Sequence, residues 1–352
     1  MGDDRRHEDL VFKYLLERWA RTTPDRVFAW FHEEDSSWTW SEADRRANQA
    51  AHALAGAGAS RGSHVAAMLP NGTRYLATIF GLGKLGAVHV GLNTAYRGAI
   101  LEHALNLSES PLIVIDARFV DRLLGLDLRH LRSLVVFGQL DEPTRSAAAE
   151  RFDLVDGTAF DHAPDHTPPV DQIHLWDPYA IIFTSGTTGP SKGVLSPYGQ
   201  LAAQVGYYHV PSSTADDVYL VDLPMFHVGG QMALMGMLQV GGSIVMKEVF
   251  TATGYWELCI RYGITRATML STMANFLAAQ PVSPLEKQHA VRSVLMAPVL
   301  DNVHAWQERF GIAEVGVMFN MTEVSSPLMR TGPVVEPATC GRPRPGAEVR
   351  VG

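Results

Sequence analysis

The feature that most constrains this sequence is a train of short apolar runs separated by stretches of helical periodicity. A first series reads "VAAML" (65–69), "VHVGL" (88–92), "LIVID" (112–116) and "LVVF" (134–137). A second reads "AIIFT" (180–184), "VYLVD" (218–222), "SIVM" (243–246), "RATML" (266–270), "SVLM" (293–296) and "VGVMF" (315–319). Strands built from such runs are apolar on both faces, which is the property of parallel sheets covered by helices. Intervening stretches such as "RYLATIFGLGK" (74–84) supply the helices, so an α/β protein with mostly parallel sheets is expected.

The helix punctuation agrees. Thr39 and Glu42 form a capping box ahead of Ala43, Ala47, Ala50, Ala51 and Leu54 at helical spacing, and Gly56 and Gly58 close the segment. A second helix, Asp301 to Phe310, places Val303, Trp306 and Phe310 on one face and stops at Gly311. A chain of 352 residues exceeds one ordinary core, so two αβαβα-type subdomains are expected. Between Arg151 and Lys192, Asp153, Asp156, Asp161, Asp165, Asp171 and Asp177 fall among prolines and histidines, reading as a solvated connector. His162, His166 and His174 lie in it at irregular spacing and read as solvated rather than metal-binding. The expected division is therefore 1–177, 178–325 and 326–352. In the last, Pro/Gly-rich part the "PVV" and "AEVRV" runs read as small antiparallel strands, the start of a small β-barrel.

Several classes are disfavoured. A net charge of −8 with no basic cluster argues against nucleic acid and anionic membrane as main partners. No window has the length of a transmembrane helix, and "MGDDRRHEDL" lacks a signal-peptide apolar core, so no membrane anchor and a cytoplasmic location are expected. A homo-oligomer is compatible with this composition. Cys259 and Cys340 have no metal-ligand spacing and read as reduced and structural.

Chemistry concentrates in four stretches. "TSGTTGPSKG" (184–193) follows a buried run and combines glycines, hydroxyls and one lysine, an inventory suited to a phosphate chain. It is not the P-loop pattern, because Lys192 is followed by Gly193 rather than by Ser or Thr. "LPMFHVGG" (223–230) and "MFNMTEVSS" (318–326) also follow strands, and ligands of α/β sheets bind at such ends. Thr322 and Glu323 put a hydroxyl beside a carboxylate, and one carboxylate beside a phosphate loop is enough for magnesium carrying phosphate oxygens. "LMAPVLDN" (295–302) offers a proline-stiffened edge for a flat ring.

Together these stretches resemble the adenylate-forming (AMP-binding) superfamily, on its acyl-CoA synthetase or acid–CoA ligase branch, over nearly the whole chain. "LGKLGAVHVGLN" (82–93), "RRANQAAHAL", "VAAMLPNG" and "GRPRPGAEVRV" are similar as well. The resemblance implies that Thr184, Ser185, Gly186, Thr187, Thr188, Gly189 and Lys192 hold the β- and γ-phosphates of ATP. Phe319 would stack one face of adenine and the Ala297–Pro298 backbone the other, with Asn320 and Met321 beside them. Thr322 would contact the α-phosphate and Glu323 would hold Mg2+. Phe226, His227, Val228, Gly229, Leu295 and Met296 would line the acyl site, His227 acting in its gating. Lys192, Thr322, Glu323 and His227 are thus the expected catalytic set, with ATP, Mg2+ and coenzyme A as cofactors and a small-molecule carboxylic acid as substrate.

The sequence also departs from the pattern. Glycine is usual in the family where this chain has Asn320, and a Gly-Gly pair where it has Leu295 and Met296. Asn320 is expected to preserve a left-handed backbone, and Leu295 and Met296 to add bulk near the acyl or adenine site. The chain also stops before the family's ribose-binding aspartate, hinge and small C-terminal lid domain. Nucleotide and acid binding with very slow thioester formation is the expectation that follows. The implied reaction is conversion of an acid and ATP to acyl-AMP and pyrophosphate, then thioester formation with coenzyme A. The rivals are a carrier-protein-loading or amino-acid-activating domain and a non-catalytic nucleotide-binding module. Fatty, aromatic and polycyclic acids all stay open as substrates.

Overall fold

The structure is a computed structural model describing residues 10–184, 190–206, 212–330, 336–337 and 339–350. These form two compact units. The first takes the described residues up to Val27, then Trp38–Gly199 and Met225–Val228; the second takes Phe28–Ser37, Gln200–Pro224 and the described residues from Gly229 onward.

Helix α1 (Phe12–Thr22) precedes two neighbouring strands, β1 (Val27–Phe31) and β2 (Ser36–Thr39), which belong to the second unit's sheet. The first unit continues with α2 (Trp40–Gly56), β3 (His64–Met68), α3 (Thr73–Leu85), β4 (Val88–Gly91), α4 (Gly98–Ser108) and β5 (Leu112–Asp116). Then come β6 (Ser133–Phe137), α5 (Glu142–Ala149), β7 (Asp153–Asp156), α6 (Ala159–His162), β8 (Pro178–Thr184) and β9 (Lys192–Pro197). Among the described residues its sheet runs β7-β6-β5-β3-β4-β8-β9, parallel throughout except that β9 runs antiparallel to β8.

After α7 (Tyr198–Val205) the second unit has β10 (Val218–Val221), α8 (Val228–Val240), β11 (Ser243–Met246), α9 (Tyr255–Tyr262), β12 (Arg266–Leu270) and α10 (Ser271–Ala278). It ends with β13 (Ser293–Ala297), α11 (Val303–Phe310), β14 (Glu314–Met321), β15 (Ser325–Arg330) and β16 (Arg342–Pro343). The described strand order is β16-β15-β14-β13-β12-β10-β11-β1-β2. The pairs from β1 to β14 are parallel, and β15 runs antiparallel to both of its neighbours, β14 and β16.

The apolar runs become these strands because each can be covered on both faces. In the first unit Val90, Ile113, Ile115 and Leu134 pack with Leu101 and Leu105 of α4. In the second, Leu220, Val245, Val294 and Met296 pack with Trp256 and Cys259 of α9 and with Val303, Trp306 and Phe310 of α11. The expected capping box is present: Glu42 N donates to Thr39 Oγ1 at 3.2 Å and Thr39 N to Glu42 Oε2 at 2.7 Å. Ala43, Ala47, Ala50, Ala51 and Leu54 of α2 are all buried. Lys84, without exposed surface, pairs with Glu17 at 3.0 Å and Asp44 at 2.6 Å, joining α1, α2 and α3 through one buried cation.

Three expectations are corrected. The units do not divide at 177/178: β8 and β9 belong to the first sheet, and "VFAWF" of β1 belongs to the second. The acidic stretch is not a connector. Its start is β7, paired with β6, and the remainder straps the first unit. Phe160 meets Phe137 edge-on at 5.0 Å, Ile173 is fully buried, Asp161 pairs with Arg46 at 2.6 Å and Asp177 with Arg61 at 2.8 Å. Two apolar anchors and two ion pairs outweigh a polar composition that by itself suggests solvation. Finally, there is no closed barrel among the described residues. The antiparallel strands are β15 and β16, Ala347–Arg350 of "AEVRV" is not a strand, and "PVV" lies outside the described residues.

Candidate active site

In the first unit the phosphate-loop stretch connects β8 to β9, with Thr184 and Lys192 as direct partners at its base. β8 lies parallel beside β4, so Thr184 stands at the carboxyl edge of the parallel part of the sheet. Ser185, Gly186, Thr187, Thr188 and Gly189 lie outside the described residues. The returning limb is anchored by a hydrogen bond between His103 Nε2 and the Ser191 carbonyl at 2.9 Å. Lys192 is exposed.

Phe226 and His227 are held in the same unit by two residues of sequences already singled out. Asn71 Oδ1, in "VAAMLPNG", accepts from Met225 N at 2.9 Å. A Cβ built on Gly91, in "VHVGL", would lie 2.8 Å from Phe226 Cα and 3.0 Å from its carbonyl oxygen, so only glycine admits this approach. His227 keeps an accessible edge, yet protein packed around the ring lowers its pKa below the ordinary histidine value. The imidazole is therefore held towards its neutral form. On β4, fully buried His89 Nε2 shares a hydrogen bond with Tyr75 Oη at 3.0 Å, and burial pushes its pKa down to about 3.

In the second unit the adenine and magnesium stretch is a hairpin. The strand does not end before Asn320: β14 runs through Met321, and Thr322, Glu323 and Val324 form the turn into β15. Phe319 is 41% exposed, an unusual state for a large aromatic and the one a stacking platform needs. Thr322 is buried, its carbonyl accepting from Gln200 Nε2, whereas Glu323 is exposed. Asn320 does not have the left-handed backbone expected of it: among the described non-glycine residues only Asp35, Glu109 and Ser325 have positive φ. Ala297 closes β13 half-buried and Pro298 follows exposed, leaving a backbone edge open.

Of the bulky pair, Met296 belongs to the core cluster with Val294 and Val317, while Leu295, its strand neighbour, faces the other way. Met296 thus packs in this core. Val228 is buried where it opens α8, and Gly229 follows in its first turn. A Cβ on Gly230 would lie 2.6 Å from the Pro224 carbonyl oxygen, so "LP" and the helix start pack closely.

One group escaped the sequence reading. Asp222, the last residue of "VYLVD", is 4% exposed directly before the "LPMFHVGG" stretch, with Oδ1 lacking a hydrogen-bond partner. Burial pushes its pKa up to about 7, opposed by Lys247. A carboxylate closing an otherwise apolar strand was the available signal.

The residues suit the group they would hold. Among the described residues no cluster of three or more His, Cys, Asp or Glu could cage a metal. The single exposed carboxylate of Glu323 fits magnesium that takes most of its ligands from phosphate and water. Comparison with known proteins then decides the family, since residues 16–352 match the AMP-binding enzyme model. The chain belongs to the AMP-binding enzyme family.

It is 28% identical over 313 residues to mouse long-chain fatty acid transport protein 6, covering 86% of this chain and 49% of that protein. It is 29% identical over 329 residues to the crotonobetaine/carnitine–CoA ligase of Proteus mirabilis (strain HI4320), covering 91% and 62%. The chain thus spans about half to three-fifths of these relatives. Its fold matches the anthranilate CoA ligase AuaEII, crystallised with anthranoyl-AMP, with a TM-score of 0.83, 21% identity and coverage of 95% of this chain and 64% of that one. That fold is the large N-terminal domain of adenylate-forming enzymes. No helix among the described residues is long and apolar enough to cross a membrane.

Proposed function

We propose that this AMP-binding enzyme activates a carboxylic acid with ATP, and that the whole protein passes the acyl group to coenzyme A. A carboxylate oxygen attacks the α-phosphorus, the bond to the pyrophosphate oxygen breaks, and acyl-AMP forms. A thiolate then attacks the acyl carbon and AMP leaves. The first step needs no protein nucleophile; its demands are positioning and neutralisation of developing charge. Lys192 supplies a point positive charge, with Thr184 and the hydroxyls of Ser185, Thr187 and Thr188 around the phosphates. Thr322 meets the α-phosphate and Phe319 stacks the base. Glu323 would hold magnesium, which when bound screens the phosphate charge. Neutral His227 and Phe226 act on the acid side.

The observation that carries this reading is the β14–β15 hairpin, which puts an exposed aromatic ring, a buried threonine and an exposed carboxylate within five residues of a family member. Relatives named as CoA ligases, and a matching fold crystallised with an acyl-adenylate, support the same chemistry.

The test is acid-dependent exchange of pyrophosphate into ATP, run with panels of plain carboxylic acids and amino acids. Plain acids are expected to drive exchange and amino acids not. The resemblance leads one to expect an aspartate at position 227 in an amino-acid-activating domain, and a desolvated ammonium without that partner would cost several kcal/mol. Stronger exchange with any amino acid overturns the assignment of substrate.

A further inference from the structure

The β14–β15 ladder slips register between Phe319, paired with Leu328, and Met321, paired with Ser325. Asn320 stands opposite the two residues Ser326 and Pro327 at this slip, and bulges of this kind gather next to functional sites. Because its φ is not positive, the backbone there does not call for asparagine. The carboxamide itself needs the explanation.

Asn320 Nδ2 donates to Met232 Sδ of α8 at 3.4 Å. A thioether accepts but cannot donate, so this contact fixes which end of the amide faces the helix. The other end, Oδ1, is buried with no hydrogen-bond partner. A desolvated carbonyl left this way is unfavourable, and such a group in a folded protein calls for a completing ligand or water. Further along the adjoining helix, Met232 and Met235 are apolar and buried.

We propose that Asn320 is a specificity-determining residue whose Oδ1 accepts a hydrogen bond from a neutral donor, a hydroxyl or an amide N–H, on the tail of the acid. This rests on the acid-activating reading above and narrows it: the preferred acid has a hydrocarbon or ring body carrying one donor. A plain hydrocarbon tail would seal Oδ1 away unpartnered, and a site built to bind a polar group discriminates against the analogue that lacks it.

The experiment is calorimetric titration of this chain with matched acylsulfamoyl-adenosines, stable mimics of acyl-adenylates. One set carries plain hydrocarbon or aromatic acyl groups, a second the same skeletons with one hydroxyl at successive positions, and a third an amide in its place. One donor-bearing analogue is expected to bind about tenfold or more tightly than its parent. Asn320→Ala and Asn320→Gly should abolish that difference while still binding the parent, and the second and third sets identify the donor. Equal affinity of every analogue and its parent in the unsubstituted chain overturns the inference alone. So does an equal loss on all analogues in Asn320→Ala, which would assign Oδ1 to the nucleotide half. If no analogue binds, the acid-activating reading fails and the inference falls with it.

Discussion

The two α/β units carry their motifs in the same kind of place but bury ionisable groups of opposite kind. In each, the run of parallel strands is reversed by one antiparallel neighbour, β9 after β8 and β15 after β14, and the connecting segment bears the phosphate-loop or the Thr322–Glu323 motif. The difference lies beneath. The first unit buries a histidine, His89, whose charged form is disfavoured; the second buries an aspartate, Asp222, whose charged form is disfavoured. One unit should weaken in acid and the other as neutrality is approached from below.

The larger effect is expected at His89. Between its ordinary 6.5 and about 3, the unfolded chain binds a proton that the folded unit refuses. The stability this site contributes is complete above pH 6.5 and falls as pH drops, by at most about 5 kcal/mol. Hydrogen exchange of the β3 and β4 amides at pH 7 and 4.5 reads it directly. His89→Gln, which keeps a partner for Tyr75, should flatten the pH dependence of these strands relative to the unsubstituted chain. Unchanged protection in both proteins would break the comparison from the first unit's side.

Asp222 should move the other way. Its folded pKa of about 7 lies above the ordinary 3.8, so the folded unit holds a proton that the unfolded chain has released. Its contribution is complete below pH 3.8 and lost as pH rises through 7, by at most about 4 kcal/mol. In Asp222→Asn the exchange protection of β10 and β11 should no longer decline between pH 5 and 8, the window in which the aspartate titrates. A decline of equal size in the variant would mean that a group other than Asp222 sets the pH response of this unit.

A smaller effect separates the two motif-bearing connections. Lys192→Ala should lower acid-dependent pyrophosphate exchange by roughly a hundredfold at any magnesium concentration, because a fixed charge on the phosphates is lost. Lys192 is exposed, so the melting temperature should hardly change. Loss of exchange together with loss of fold would assign the lysine to the hairpin rather than to ATP.

How much of this was legible beforehand follows from how local each signal is. The parallel strands were readable because a run such as "LIVID" has only one way to be buried, and the capping box because Thr39 and Glu42 act on each other's backbone. The strand β1 was not read, since its partner β11 lies more than 200 residues away and nothing near "VFAWF" announces it. The acidic strap was misread because composition records its aspartates but not Arg46 and Arg61, which fold onto them. At the candidate site, the exposure of Phe319 and Glu323 goes with the motif that contains them, whereas the buried carboxylate of Asp222 hid in an apolar run and strand alternation puts Met296 in the core cluster. Facing direction is a period-two property, and a one-residue judgement inverts it.

The smallest effect expected is at Glu323, and it sharpens the contrast between the hairpins most. Its carboxylate is exposed at a turn whose backbone is held by Gln200 on the Thr322 carbonyl, so Glu323→Gln should leave the fold intact. A glutamine still presents an oxygen but no charge, and the loss of one charged contact to the metal is worth about tenfold in affinity. Unlike Lys192→Ala, this loss should be recoverable: exchange by Glu323→Gln should approach that of the unsubstituted protein as magnesium is raised, because saturation offsets weaker binding. Calorimetry of ATP at limiting and at saturating magnesium separates the two. Equal affinity at limiting magnesium would make Glu323 an ordinary turn residue and leave the second unit's hairpin with the base-stacking role of Phe319 alone.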